Sequence, residues 1–350
     1  MSAQVMRLAP AIVLTPAQLN AVLAAVLLGL TLLSLTIGPV DLHIGEVLAA
    51  LFGTGTTEEA LREQIIVRDV RLPRAVLAIL TGGSLGLAGA ALQGLLRNPL
   101  AEPGLLGVSS SASLGAVLCL YFGVAALSPW LLPVAAMSFA GLATAVLYVI
   151  ARRSAAVTLI LAGIALSSLA SALTSLALNL APNPADVQDI VLWLLGSLSQ
   201  RSFSDVQLCL PFVVVGAALL LACGPALDAL SLGEAEARTL GVHVARLRQQ
   251  VIVGTALCVG ACVAITGAIG FVGLVVPHLL RPFVAYRPSM LLTSSALGGA
   301  VLLLAADLVL RAISGPQEIM LGVVTALIGA PFFFALVLSR QQRQQEGVAS

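Results

Sequence analysis

Ten stretches of mainly apolar residues, each close to the length that crosses a bilayer, constrain this chain more than any other feature. A hydrocarbon core of about 30 Å needs roughly 20 apolar residues per helix. The stretches fall near 19–37, 73–95, 105–123, 129–150, 156–180, 206–223, 249–268, 270–286, 290–313 and 319–339. Between them only 9% of the 350 residues are charged and 59% are apolar, whereas a soluble domain carries about 25% charge. That balance excludes a soluble globule and a disordered chain. The expected fold class is all-α, a polytopic membrane protein with about ten transmembrane helices in a single domain over 1–350. Its parts are an N-terminal segment (1–18), a ten-helix bundle (19–339) interrupted by a polar segment at 224–248, and a tail (340–350). No A-x-A-like cleavage site follows the first stretch, so it reads as a retained span rather than a signal peptide.

The pattern is broken in places. The second and third stretches are joined by Arg97-Asn98-Pro99-Leu100-Ala101-Glu102-Pro103-Gly104, where two prolines and a glycine forbid a continuous helix. The stretch 270–286 contains Pro277, His278, Arg281 and Pro282 and reads as a broken helix. Non-helical backbone at membrane depth is tolerated only inside protein or beside water. The order of 249–286, an apolar helix and then a break at Gly267, Gly270 and Gly273, loosely repeats the first break. The run Ile190 to Leu198 is too short to cross and reads as interfacial or re-entrant. The second stretch is dense in Gly82, Gly83, Gly86, Gly89, Ala90, Ala91 and Gly94, residues that let helix backbones approach closely in lipid.

An even number of spans puts both termini on one side. With the termini in the cytoplasm, that side receives 11 of the 17 arginines and the outer side receives 6 (Arg62, Arg68, Arg71, Arg74, Arg201 and Arg311), as the positive-inside rule requires. Three outer arginines crowd into 68–74, and contact with a partner is one reason for such a concentration. Every basic residue is arginine. A P-loop needs a lysine to reach nucleotide phosphates, so the chain has no ATPase site of that kind. A net charge of +1 gives no support for a nucleic-acid partner.

Cys119, Cys209, Cys223, Cys258 and Cys262 all lie in apolar runs. Cys258 and Cys262 share a helix face but lack a second ligand pair at metal spacing, so they read as packing residues. His43 and His278 read as structural rather than metal ligands. The segment 224–248 reads as two short helices broken at Gly241, with both charge signs and a few apolar anchors. Ser167, Ser171 and Ser175 follow i, i+4, i+8 in the fifth span. They share a face that either lines a path or bonds a neighbouring helix.

Four strings taken together resemble one family. Glu236-Ala237-x-x-x-Gly241 resembles the coupling motif of ABC importer permeases. Arg71-Leu72-Pro73-Arg74 followed by 94–108 (GLLRNPLAEPGLLGV), then 267–278 (GAIGFVGLVVPH) and 322–332 (GVVTALIGAPF), resemble the permeases of binding-protein-dependent importers of ferric siderophores, haem and cobalamin. The similarity runs in the family's order over roughly 20 to 340. It implies a type II ABC importer permease that performs no covalent chemistry and binds no cofactor. The implied assembly is a homodimer, or a dimer with a paralogue, in the bacterial inner membrane. Two ATP-binding subunits would carry ATP and magnesium below it, and a periplasmic or lipoprotein binding protein would dock outside.

The resemblance also implies roles by position. Gly233, Glu234, Glu236, Ala237, Arg238 and Gly241 would form the ATPase-coupling surface. Arg71, Arg74 and Arg311 would grip carboxylates of the binding protein, a task that suits the guanidinium fork. Arg311 also stands four residues after Asp307, the spacing of a pair within one helix. Asn98, Pro99 and Leu100 would form part of the cytoplasmic gate. The turn after the fourth span would contribute too, but Ser154-Ala155-Ala156-Val157-Thr158 departs from the small hydroxyl residues that family members can show there. Two other function classes fare worse. An ion-coupled secondary transporter usually needs buried acids, and Asp307 is the only clear candidate. An intramembrane enzyme would need a motif such as His-Glu-x-x-His or Gly-x-Ser-x-Gly, and neither occurs.

Overall fold

The computed structural model describes residues 15–348 apart from 54, 152–155, 182 and 314–318. Its elements are helical. Helix α1 (Pro16–Thr36) starts at a capping box between Thr15 and Gln18. Two short helices follow, α2 (Ile44–Phe52) and α3 (Glu58–Gln64). A π-helical turn (Ile65–Arg71) then leads without a break into α4 (Leu72–Leu95). A 3-10 turn (Pro103–Leu106) precedes α5 (Val108–Tyr121), and another (Val124–Leu127) precedes α6 (Leu131–Ala151). Next come α7 (Ala156–Asn179), α8 (Pro184–Leu194), α9 (Phe203–Ala222), α10 (Gly224–Ser231) and α11 (Glu234–Thr239). The chain continues through α12 (Val244–Thr266), α13 (Val272–Leu280), a 3-10 turn (Arg281–Val284), α14 (Pro288–Ile313) and α15 (Leu321–Val348).

Helices α4 and α12 form the centre of the bundle, and both are largely buried although both are apolar enough to cross a membrane. Helix α14 lies along α4 and carries α1 on its other side. Helices α6 and α9 pack on α12, and α5 joins α6 to α7. In lipid, apolar side chains gain little by leaving one another, so close backbone packing has to hold the bundle together. The glycines of α4 do this. A Cβ on Gly82 would stand 2.2 Å from the Gly299 carbonyl oxygen, and one on Gly86 would stand 2.0 Å from that of Ser295. The small-residue stripe of the second span is therefore the seam between α4 and α14.

Seven helices are long and apolar enough to span, and three shorter apolar helices accompany them among the described residues. The ten apolar stretches thus correspond to ten helical segments, but not to ten complete helices. The stretch 105–123 yields only the 14 residues of α5, about 21 Å. The stretch 270–286 yields the nine-residue α13, about 14 Å, closed by a 3-10 turn at Pro282. Helix α12 begins at Val244, a turn and a half before the expected 249, because the polar turns Val244 to Gln250 continue the same helix out of the apolar zone. The short run at Ile190 belongs to α8, which Pro184 opens and whose Ile190 is fully buried.

The break between α12 and α13 is buried at Gly267 and Ile269 and exposed at Gly270; non-helical backbone at membrane depth needs protein or water beside it. Ser197 N–H donates to the Thr266 carbonyl at 2.8 Å, and Gly322 N–H donates to that of Gly196 at 3.3 Å. The loop after α8 therefore satisfies the end of α12, and the start of α15 is tied to that loop.

Candidate functional site

The polar segment between α9 and α12 is a built surface rather than a solvated loop. It contains three pieces, not two: α10, α11 and the first turns of α12. The joints are Gly233 and Gly241, with φ of +140° and +86°, conformations that side-chain-bearing residues rarely adopt. At Gly241 the end of α11 closes in two bonds, Gly241 N–H to the Arg238 carbonyl (3.0 Å) and Val242 N–H to that of Ala237 (2.9 Å), the Schellman pattern. Ala237 is fully buried and seats α11 on the bundle. The Glu234 carboxylate accepts from Arg238 at 2.7 Å within α11 and from Arg248 of α12 at 2.9 Å. Helix α10 is tied down by Asp228, which accepts from the Ser289 N–H (2.8 Å) and Oγ (2.6 Å) at the start of α14.

Held in this way, α11 presents Ala235, Glu236, Arg238 and Thr239 to solvent. Leu232 and Leu240 flank them and are 66% and 63% exposed. These two leucines were absent from the sequence-based set; the signal that points to them is an isolated leucine at each end of a charged hexapeptide. Arg248 was missed as well, since only the fold brings it back to Glu234.

The opposite end of the bundle carries an ionic cluster. Arg74, at the start of α4, and Gly94, which touches Leu227 of α10 at its end, are twenty residues apart, about 30 Å of helix. Asp307 of α14 is 1% exposed and receives two arginines. Arg74 Nη2 lies 2.8 Å from its Oδ1, and Arg311 Nε lies 3.1 Å from its Oδ2. Arg74 also donates to Ser199 Oγ at 3.2 Å. Arg311 donates to the carbonyls of Ser34 (3.0 Å) and Ile37 (3.2 Å) and to Ser34 Oγ. Arg71 turns inward to the carbonyls of Leu35 (2.6 Å), Thr36 (2.7 Å) and Val40. It therefore caps the C-terminal end of α1, where four carbonyls lack helical partners.

Two of the three arginines expected to dock a partner are held by internal groups. Arg71 is 4% exposed, and Arg311 has a 9% exposed side chain; both serve internal carbonyls. The guanidinium of Arg74, in a side chain 20% exposed, is the one that reaches the surface. The crowding of arginines at 68–74 also acquires an internal reason. Arg68 donates to the carbonyls of Ala50 (2.7 Å), Leu51 (3.1 Å) and Gly53 (2.8 Å), and so caps α2.

The turn after α4 is held by Asn98, whose Oδ1 accepts from Leu100 N–H at 3.0 Å. Asn98, Pro99 and Leu100 are half-buried. The chain then passes into the bundle, where Ala101 and Leu106 are fully buried and Pro103 packs on Gly273 of α13. Both broken segments are thus in contact. On α7, Ser167 Oγ reaches the Gly104 carbonyl at 3.5 Å, while Ser171 and Ser175 are exposed on the face away from the buried Gly163, Ala170 and Ala177. An apolar recess of about 530 Å³ lies between the end of α8, the break at Ala268 and α15. Ser154 and Ala155, in the turn before α7, lie outside the described residues.

The remaining chemical candidates are packed into the fold. All five cysteines are buried thiols, with Cys258 Sγ 3.5 Å from the Val213 carbonyl and Cys262 Sγ 3.5 Å from Ser84 Oγ. Among the described residues no group of three His, Cys, Asp or Glu side chains is arranged for a metal. The His278 ring stands edge-on to Phe332 of α15 at 6.1 Å. His43 caps α2, its N–H donating to Glu46 at 2.8 Å.

Comparison with known proteins gives a consistent result. A family model described as the FecCD transport family matches residues 26–339. The chain is 44% identical to the vitamin B12 import system permease protein BtuC of Vibrio cholerae serotype O1, over 79% of this chain and 83% of that protein. It is 36% identical to the Fe(3+)-citrate import system permease protein YfmE of Bacillus subtilis, over 92% of this chain and 95% of that one. It is also similar to an ABC transporter assigned to the metal-chelate type and solved in an inward-facing conformation. That likeness has a TM-score of 0.80 and 34% identity, and covers 92% of this chain and 99% of the other.

Proposed function

The chain belongs to the FecCD transport family, whose members are multi-pass ABC importer permeases, and on that premise we propose that it moves a bulky metal chelate, a ferric siderophore first, inward across a bacterial inner membrane. The observation that carries this reading is the clamped, solvent-facing α11. A six-residue helix held by Glu234 to Arg248, with Leu232 and Leu240 exposed beside it, suits a rigid lever that a separate motor pushes. Two ATP-binding subunits would dock on it and carry ATP and magnesium. Both chain termini and α11 would then face the cytoplasm.

The permease would work as a homodimer or with a paralogue. The exposed serine face of α7 and the recess beside α15 would meet their counterparts around a central path, and the Asn98–Leu100 turn would close it below. A binding protein would dock at the Asp307 end. There we assign the contact to Arg74, with Arg71 and Arg311 as positioning residues that fix α1 and α14 around it. Cobalamin is the second cargo reading, favoured by the 44% identity to a vitamin B12 permease.

Uptake of labelled ferric siderophore, haem and cobalamin in a deletion strain, with the permease, ATPase and binding protein restored together, tests both readings. Accumulation of one cargo that requires all three supports the proposal and names the cargo. Accumulation driven by an ion gradient without any ATPase subunit overturns it. Arg74→Gln removes its charge and leaves Asp307 paired with Arg311. If Arg74 makes the contact, affinity for the binding protein falls at least about tenfold, in line with a lost charge-assisted hydrogen bond; unchanged affinity removes it from the docking surface.

A further inference from the structure

A second polar cavity lies at the α11 end of the bundle, apart from the coupling surface. It has a volume of about 180 Å³ and is bounded by the end of α4, the end of α10 and the start of α14. Arg97, Arg281, Ser231, Tyr286 and Gln93 supply its polar lining, with Pro288 from the first turn of α14.

Two observations give this cavity the character of an anion site. First, its charged lining is two guanidiniums. Arg97 is exposed and makes no side-chain hydrogen bond or ion pair among the described residues. Arg281 is aimed by Gln93, whose Oε1 accepts from it and whose Nε2 is fixed by the carbonyls of Gly273 (3.3 Å) and Leu274 (3.4 Å). Asp228 on the adjoining α10 is already bonded to Ser289 and paired with Arg287 at 3.5 Å.

Second, the backbone is left-handed at two lining residues that are not glycine, Arg97 (φ +47°) and Tyr286 (φ +61°), and at Ala285 (φ +49°) before the latter. Each closes a helical turn. Asn98 N–H donates to the Gln93 carbonyl at 3.2 Å, and Tyr286 N–H donates to that of Arg281 at 3.2 Å. Glycine would fill such positions without strain. Non-glycine residues held in rare backbone conformations cluster where a side chain has a task. Here both strained residues place their side chains on one cavity.

We propose that this cavity binds a phosphate group, gripped by Arg97 and Arg281 with Ser231 and Tyr286 as hydroxyl donors. The phosphate has two possible sources, the headgroup of an anionic phospholipid or a soluble phosphate. The proposal goes beyond the transport reading and does not depend on the cargo, because it is measured on the permease alone.

The test uses the full chain purified in detergent, wild type beside Arg97→Gln and Arg97→Gly. Binding is read by native mass spectrometry and by thermal shift. The probes are phosphatidylglycerol, phosphatidylcholine and inorganic phosphate. The Arg97 side chain is exposed and makes no hydrogen bond among the described residues, so both variants should fold; the glycine variant also relieves the strained turn. Wild type is expected to bind phosphatidylglycerol in preference to phosphatidylcholine, or to bind inorganic phosphate, and both variants to bind roughly tenfold more weakly. Phosphatidylglycerol binding without phosphate binding identifies the lipid as the source, and the converse identifies a soluble anion. Equal binding by wild type and variants overturns the site.

Discussion

Arg74 and Asp307, 233 residues apart in sequence, form the ionic joint between α4 and α14, with Arg74 Nη2 2.8 Å from Asp307 Oδ1 and Nε 2.9 Å from the same oxygen. The carboxylate is shared with Arg311, so one buried negative charge holds two positive ones where α1, α4 and α14 meet.

Asp307→Ala should therefore destabilise strongly. It leaves two guanidiniums without their counter-ion, and breaking a buried pair costs about 3–5 kcal/mol. The lower end, about 3 kcal/mol, is expected because Arg74 is partly exposed. Thermal denaturation in detergent measures it. The paired change Arg74→Met with Asp307→Leu should recover only the part due to Arg74, because the more buried Arg311 still lacks its counter-ion; full recovery would show that Arg311 does not need the carboxylate.

Glu234→Ala should release α11 from α12 with little effect on stability, about 1 kcal/mol or less, because Glu234 itself is 40% exposed and Arg238 is more so. The expected consequence is functional. ATP hydrolysis by the assembled transporter should persist while uptake per ATP falls. Comparing the two rates in proteoliposomes checks this, and normal uptake would show that the clamp to Arg248 is dispensable.

The glycines of the bundle should divide by position. Gly86→Ala forces a Cβ to 2.0 Å from the Ser295 carbonyl and must push α4 from α14. A loss of more than about 2 kcal/mol is expected, in the upper range for overpacking. Gly141→Ala on α6 meets nothing within 4 Å and should stabilise by about 0.5–1 kcal/mol through helix propensity. Yield and melting temperature of the two variants side by side decide the point.

Gly241→Ala isolates backbone from space. A Cβ there meets nothing, but φ is +86°. Strain of about 1–2 kcal/mol is expected at this joint, relieved by untwisting the end of α11 rather than by unfolding. Hydrogen exchange should speed up at Val242 N–H, which bonds to the Ala237 carbonyl at 2.9 Å, while α4 and α12 stay protected. Unchanged protection at Val242 would mean that the turn tolerates a side chain.

The sequence by itself determined the class of the molecule, its division into apolar segments and its family. Those properties are local. Hydropathy, Pro and Gly placement and the strings around Asn98, Glu236 and Pro277 can be read a few residues at a time. The glycine stripe of α4 was legible as a packing face for the same reason, since a helix repeats its neighbours every turn. The tertiary structure alone decided what the charges and the breaks do. Arg71, Arg74 and Arg311 look alike as isolated arginines near an outer surface. Their roles were set by carbonyls and a carboxylate brought from α1 and α14, up to 277 residues away in sequence. The shortness of α5 and α13 was hidden similarly, because a broken helix at membrane depth is permitted only once other segments supply its missing hydrogen bonds. At the end of α12, Ser197 N–H does so for the Thr266 carbonyl from across the bundle. Polar groups in a membrane are governed by who satisfies them, and that identity is a property of the fold.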